Sequence, residues 1–284
     1  MMTVAAFMRG HMNIKPVMIS QSAPEPFGEL SVFGASEKAI NLVNTEGKLI
    51  TLHCYGHGIG PAGWLLREDE FYYIKYFLEQ GHPAYFKHDG IHNRHFNIIN
   101  DCRRVNLQLN DTVHISHTQL TTILSTMQVE TGLYGTLADV TSNDLSDDLQ
   151  YFIDQLHTWA EGGEADWRCA IGKGPGLTPS QDDMLIGILF SAFSDPHYAE
   201  NAQQLLRSDI YLGELTTAVS ASYLEQARAG NFSMILKELS VVGSCPIDLA
   251  LVMEKLLQHG HYSGADTLLG IWLFSCFKNE SYCH

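Results

Sequence analysis

The stretch Gly172-Lys173-Gly174-Pro175-Gly176-Leu177-Thr178-Pro179-Ser180-Gln181-Asp182-Asp183 gathers more residues fit for chemistry than any other part of the chain. Its glycines remove side chains from one face of a loop, so a ligand can touch the backbone of Gly174 and Gly176. Pro175 and Pro179 stiffen that loop, and Pro179 suits the first position of a helix capped by Thr178. Free N–H groups at such a helix start, with the hydroxyls of Thr178 and Ser180 and the charge of Lys173, make an anion site. The lysine comes too early for Gly-x-x-x-x-Gly-Lys-[Ser/Thr], and the loop is no Gly-x-Gly-x-x-Gly after a clear strand, so neither nucleotide fingerprint applies.

Asp182 and Asp183 complicate a bare phosphate site, because two carboxylates at a helix start compete with an anion. They suit a substrate amide, an ammonium or a Mg²⁺ bridging to phosphate oxygens, and they equally suit the helix dipole. An internal echo bears on this choice. Ser180-Gln181-Asp182-Asp183-Met184-Leu185-Ile186-Gly187-Ile188 aligns without a gap to Ser263-Gly264-Ala265-Asp266-Thr267-Leu268-Leu269-Gly270-Ile271, both reading Ser-x-x-Asp-x-Leu-x-Gly-Ile. Serine caps a helix, aspartate sits in its first turn, and glycine lets another backbone come close. Two readings stand level: pseudo-equivalent helices crossing near Gly187 and Gly270, or two well-capped helices with a common local solution. Asp183 has a counterpart in Asp266 and divides evenly between dipole partner and functional group. Asp182 has none and reads as functional. Asp182 and Asp183 are therefore the catalytic candidates, while Ser263 and Asp266 join the ligand-binding set. No metal ligand set is assigned, no cofactor is certain, and Mg²⁺ is the one considered.

Other constellations are weaker. Thr216, Ser220 and Tyr223 line one helix face with hydroxyls, as a ligand-orienting stripe or, more simply, as small polar residues at a helix crossing. Gly56 to Gly63 reads as a turn between β elements before it reads as a second ligand loop. His88, Asp89, His92 and His95 invite a metal but lack a helical His-Glu-x-x-His. No Gly-x-Ser-x-Gly elbow is present.

The elements that must position these residues fall into two halves. Leu30–Phe33, Ala39–Val43, Leu49–Cys54, Phe96–Ile99 and Val105–Leu109 read as strands. Asn44-Thr45-Glu46-Gly47 reads as a hairpin loop, and Glu70–Leu78 as a helix. From Leu145–Trp159 onward the period becomes helical, through Asp183–Phe193, Leu212–Ala229, Ile247–Leu257 and Thr267–Phe277. This predicts an α+β chain with a β-rich N-terminal domain, 1–140, and an α-helical C-terminal domain, 141–284, the boundary lying in Thr141–Asp148.

Composition bounds the partners. With 17 basic against 32 acidic residues the net charge is −15, and no Lys/Arg run offsets it, which argues against nucleic acid and anionic lipid. A small anionic substrate would have to be held by local donors. Apolar residues at 45% support a sizeable core. The six cysteines (Cys54, Cys102, Cys169, Cys245, Cys276, Cys283) are scattered, which fits a reducing compartment. The stretch from Met1 to Met18 has no long apolar region, and no apolar run reaches membrane-spanning length, so a cytoplasmic location is expected.

The loop and the helix after it resemble a bacterial family long listed as of unknown function, whose known member is the third subunit (AllH) of oxamate carbamoyltransferase, from anaerobic allantoin degradation. Gly-Pro-Gly-Leu-Thr-Pro-Ser-x-Asp-Asp with Gly187 carries the resemblance. It is joined by Thr216-Thr217-Ala218-Val219-Ser220-Ala221-Ser222-Tyr223-Leu224 and by Gly260-His261-Tyr262-Ser263-Gly264-Ala265-Asp266-Thr267-Leu268-Leu269-Gly270. One departure is Gln181, where that family's pattern usually has glycine. The resemblance implies an enzyme of purine catabolism that works as part of a multisubunit complex, moving a carbamoyl group reversibly between oxalurate and phosphate. Its substrates would be small anions such as carbamoyl phosphate or oxamate. Two alternatives remain: a non-catalytic subunit that binds a small anion or assists assembly, and a metal-dependent hydrolase or carboxylase.

Overall fold

The computed structural model describes residues 10–281 except 111, 113–114, 243–245 and 259. The first nine residues of the N-terminal stretch, Cys245 and Cys283 lie outside it. The chain forms two compact units, the first ending at Leu107 and the second starting at Gln108.

The first unit is β-rich, as expected. Its strands are β1 (Met12–Ile14), β2 (Met18–Ser20), β3 (Gly28–Ala35), β4 (Ala39–Asn44), β5 (Leu49–Cys54), β6 (Gly63–Leu66), β7 (Ala84–Lys87), β8 (Gly90–His92), β9 (Phe96–Ile99) and β10 (Arg104–Val105). They form one mixed sheet in the order β1-β9-β8-β7-β3-β4-β5-β6-β2-β10. The β4–β5 hairpin turns at Asn44–Gly47. Asn44 Oδ1 accepts the N–H groups of Glu46 and Lys48, each at 3.0 Å, and Gly47 supplies a φ of +78°. β4 alternates buried and half-buried residues, as a strand with one core face must. Helix α1 (Glu68–Glu79) buries Phe71, Ile74 and Phe77 in the core with Leu42, Leu52, Trp64 and Phe96.

The strand expected over Val105–Leu109 stops at Val105. Leu109 instead donates its N–H to Gly230 O at 2.9 Å and joins the helical core. Gly56–Gly63 is a turn feeding β6, where His53 Nε2 accepts the Gly60 N–H at 3.2 Å. His88, Asp89, His92 and His95 do not converge. His92 Nε2 meets Asp89 Oδ1 at 2.7 Å, His95 stacks on Phe77 and His88 lies against Phe27.

The second unit is helical: α2 (His117–Leu124), α3 (Leu137–Ser142), α4 (Asp147–Ala160), α5 (Ser180–Ser194), α6 (Ala218–Arg228), α7 (Met234–Val242), α8 (Pro246–Leu257) and α9 (Ser263–Ser281). Its start at Gln108 lies well before residue 141 because Leu120, Leu124, Leu137 and Val140 pack into the same core as Phe152, Trp167 and Leu268. α5 is buried on nearly every face, and Leu268, Leu269, Leu273 and Phe277 of α9 are fully buried. These two helices form the spine of the unit, with α2, α4 and α8 against α9 and α6 against α5. Leu212–Ala229 is not one helix. Thr217 breaks it by taking the Ser220 N–H at 3.1 Å and so caps α6.

The spine depends on two notches. A Cβ on Gly187 would lie 2.1 Å from Thr267 O, and one on Gly270 2.0 Å from Met184 O. The echoed glycines therefore mark the crossing of α5 and α9, backbone against backbone. Either glycine replaced by alanine should destabilise the protein by about 1–3 kcal/mol or more, as overpacking does. Gly213→Ala, with nothing nearer than 3.6 Å, should stay within about 0.5 kcal/mol. Urea midpoints of the three variants test this, and an unchanged midpoint for Gly270→Ala would contradict the crossing.

Candidate functional site

α5 and α9 cross at Gly187 and Gly270, about two turns into each helix, and their first turns lie side by side, Thr178 bonding Ser263 just ahead of the crossing. Neither echoed serine is a cap. Pro179 occupies the N-cap of α5 (φ −55°, ψ 144°) with no side-chain cap bond, and Ser180 and Ser263 are the first helical residues. Thr178 and Pro179 each stand one position earlier relative to the helix than expected. Each serine instead faces the aspartate of the opposite helix: Ser180 lies by Asp266 and Ser263 by Asp183. The echo is thus a cross-paired, pseudo-twofold cluster.

Asp182 is fully buried and is held by three donors. Oδ1 accepts the Gly172 N–H at 2.7 Å, and Oδ2 accepts the hydroxyls of Ser220, at 2.6 Å, and Thr216. One carboxylate therefore ties the start of the glycine loop to the start of α6. Thr217 adds a second tie by donating its hydroxyl to Leu177 O. Burial raises the Asp182 pKa, and its donors oppose the rise.

Asp183 and Asp266 are less well served. Burial pushes Asp183 well above the ordinary carboxylate range, opposed by the Ser263 and Thr178 hydroxyls, which bond to each other at 2.8 Å. Burial raises Asp266 to about 6, while the Gly132 N–H, at 3.0 Å from Oδ1, pulls it down. Asp183 Oδ2, Asp266 Oδ2 and Ser180 Oγ are buried with no hydrogen-bond partner among the described residues. The Ser180 hydroxyl is close enough to Asp266 to ease its ionisation but is not aligned to bond it. Such groups cost free energy where they stand.

The loop itself is shaped by backbone contacts. Gly172, Gly174 and Gly176 have φ of +85°, +122° and +93°. A Cβ on Gly172 would meet Leu215 O at 2.2 Å, and one on Gly174 would meet Ser180 N at 2.4 Å. Three N–H groups in the first turn of α5 are not free for an anion. Gln181 donates to Lys173 O at 3.0 Å, and Asp182 and Asp183 donate to Pro179 O. The free donors lie one step earlier. The N–H groups of Gly174, Gly176, Leu177 and Thr178 meet no acceptor among the described residues, and Pro175–Leu177 are exposed. Lys173 is also exposed, 3.9 Å from Asp148 Oδ1.

Thr216, Ser220, Ser263 and Asp266 all join this cluster. Two participants were missed. Gly132 lends Asp266 an N–H and leaves room for Ser180, since a Cβ there would lie 1.9 Å from Ser180 Oγ. Tyr134 takes the side-chain N–H of buried Gln181, so that side chain turns to Tyr134. The signal for both was a Gly-x-x-Gly stretch ahead of the Thr136–Asp139 capping box. Among the described residues no three His, Cys, Asp or Glu side chains gather as metal ligands.

Residues 170–275 match the model of the family described as oxamate carbamoyltransferase subunit AllH, which bears out the resemblance over that stretch. The match spans the loop, α5 to α8 and the first part of α9. No solved structure matches the chain. No helix among the described residues is long and apolar enough to cross a membrane.

The cluster has a pH signature. Asp266 has a folded-state pKa, about 6, above its unfolded value near 3.8. Its protonated form therefore favours folding below about pH 4, and that contribution is lost as pH rises through about 6. Asp183 acts in the same direction. Asp266→Asn keeps an acceptor for Gly132 and removes the charge. Its stability relative to the unaltered chain should improve by up to about 3 kcal/mol between pH 4 and pH 8. Urea denaturation at both pH values measures this, and a pH-independent difference would contradict it.

Proposed function

We propose that this chain is a subunit of an oxamate-type carbamoyltransferase, acting with partner subunits on small anions, and that the Gly172–Ser180 loop is its anion cradle. The observation that carries this reading is the row of unpaired N–H groups at Gly174, Gly176, Leu177 and Thr178 on a loop tied down at both ends. Donors fixed before the ligand arrives lose little freedom on binding, and they stabilise charge without reorganising. In carbamoyl transfer a phosphate oxygen attacks the carbamoyl carbon of oxalurate. The bond to the oxamate nitrogen breaks, and that nitrogen leaves with a proton. The loop would hold the phosphate and its product, carbamoyl phosphate.

The two aspartates then have different tasks. Asp182, with both oxygens occupied by the chain's own donors, is a positioning residue that keeps the loop in shape. Asp183 retains an oxygen without a partner and is proposed as acceptor for the carbamoyl amino group. That assignment is preferred to Mg²⁺ because the neighbouring carboxylates do not form a ligand set. The cytoplasm is the proposed location.

A non-catalytic role is the second reading, favoured by how completely Asp182 is used within the fold. Turnover by the purified chain, alone and with its cognate subunits, separates the two. For the catalytic reading, Asp182→Asn and Asp183→Asn are assayed separately in the assembled complex, with folding checked by circular dichroism. Asp182→Asn should raise KM for phosphate more than KM for oxalurate. Asp183→Asn should lower kcat by about tenfold or more, as loss of a buried hydrogen bond to the ligand does. Full activity of both folded variants would remove the support for this site.

A further inference from the structure

A second polar centre lies towards the other end of the α5–α9 spine, away from the glycine loop. A cavity of about 200 Å³ opens there between the start of α2, the end of α5 and the second half of α9, and its lining includes His117, Ser194, Asp195, Phe274, Ser275 and Lys278. It is larger than the roughly 150 Å³ cavity that holds a benzene-sized guest.

Its polar groups form an ordered chain. Ser275 donates its hydroxyl to Trp272 O at 2.7 Å, so its bond to His117 Nδ1, at 3.0 Å, must be donated by the imidazole. That fixes the tautomer and leaves His117 Nε2 as an acceptor, with no partner among the described residues. Burial lowers the pKa of His117, which keeps the ring neutral. Lys278 and Asp195 form an ion pair with side chains only 13% and 6% exposed. A pair this deep is a poor source of stability, because desolvation offsets its attraction. It is more readily understood as part of a binding surface.

The cavity therefore offers a cation, an ammonium-paired carboxylate, hydroxyls and a neutral ring acceptor, with no net charge. A phosphate dianion is a poor match for that balance. We infer that this cavity binds a small monoanionic carboxylic acid carrying an O–H or N–H donor beside its carboxylate. The carboxylate goes to Lys278, and the adjacent donor goes to His117 Nε2. This site is separate from the loop and does not depend on the carbamoyltransferase reading.

The test is equilibrium binding to the full chain by calorimetry, with glycolate as probe and acetate and inorganic phosphate as comparisons. Glycolate should bind about tenfold more tightly than acetate, which lacks the donor, and phosphate should not compete. His117→Asn keeps a donor for Ser275 but removes the Nε2 acceptor, so it should erase the preference for glycolate over acetate. Asp183→Asn, at the loop, should leave glycolate binding unchanged. No glycolate binding, equal affinity for acetate, displacement by phosphate, or an undiminished preference in His117→Asn would each overturn the inference. If His117→Asn fails to fold, the comparison of the three ligands on the unaltered chain decides.

Discussion

The approach of α5 to α9 at Gly187 and Gly270 is the contact on which the helical unit depends. A carbonyl of each helix occupies the place where the other's Cβ would stand, so only glycine permits the approach. Closing that distance sets the first turns beside each other, with Ser180 next to Asp266 and Ser263 next to Asp183. Without the two notches Ser180 would not reach Asp266, nor Ser263 reach Asp183. The loop preceding α5 would lose the platform on which Gly174 rests.

From that contact the cluster builds outward with unequal satisfaction. Asp182 is saturated by Gly172, Thr216 and Ser220 and works as a strap across the loop. Asp183 and Asp266 are buried with an unpaired oxygen each. Two buried carboxylates left with unpaired oxygens at one place store unfavourable free energy where a ligand donor could relieve it. The strapped loop and the unsatisfied pair lie side by side, which is why the carbamoyl-transfer reading is centred there.

Much of this was legible in the sequence because it was written in local chemistry. The Ser-x-x-Asp-x-Leu-x-Gly-Ile echo offered the crossing at Gly187 and Gly270 as one of two level readings, and the backbone contacts at both glycines decide for it. The capping assignment went wrong by one residue. A serine at N1 and a serine at the N-cap have almost the same sequence context, and only the partner across the crossing distinguishes them. β1, β2 and β8 have three residues each, and β6 and β7 four, too few for a period to register. Gly132 and Tyr134 were missed for a different reason. They reach the cluster from outside the local sequence of either helix, and only the tertiary fold brings them there.

The crossing has a consequence for how the protein comes into being. α5 ends at Ser194 and α9 begins only at Ser263, with α6, α7 and α8 between them, so their contact closes a long loop and is entropically late. The loop in front of α5 takes its shape from Asp182, α6 and Ser180, and Ser180 is placed by that contact. A chain still being synthesised would therefore carry every residue of the glycine loop long before the loop had its form. Exchange of the Gly172 amide, which Asp182 holds, should follow the opening of the whole unit rather than local fraying, and a partly folded species would have no working cradle.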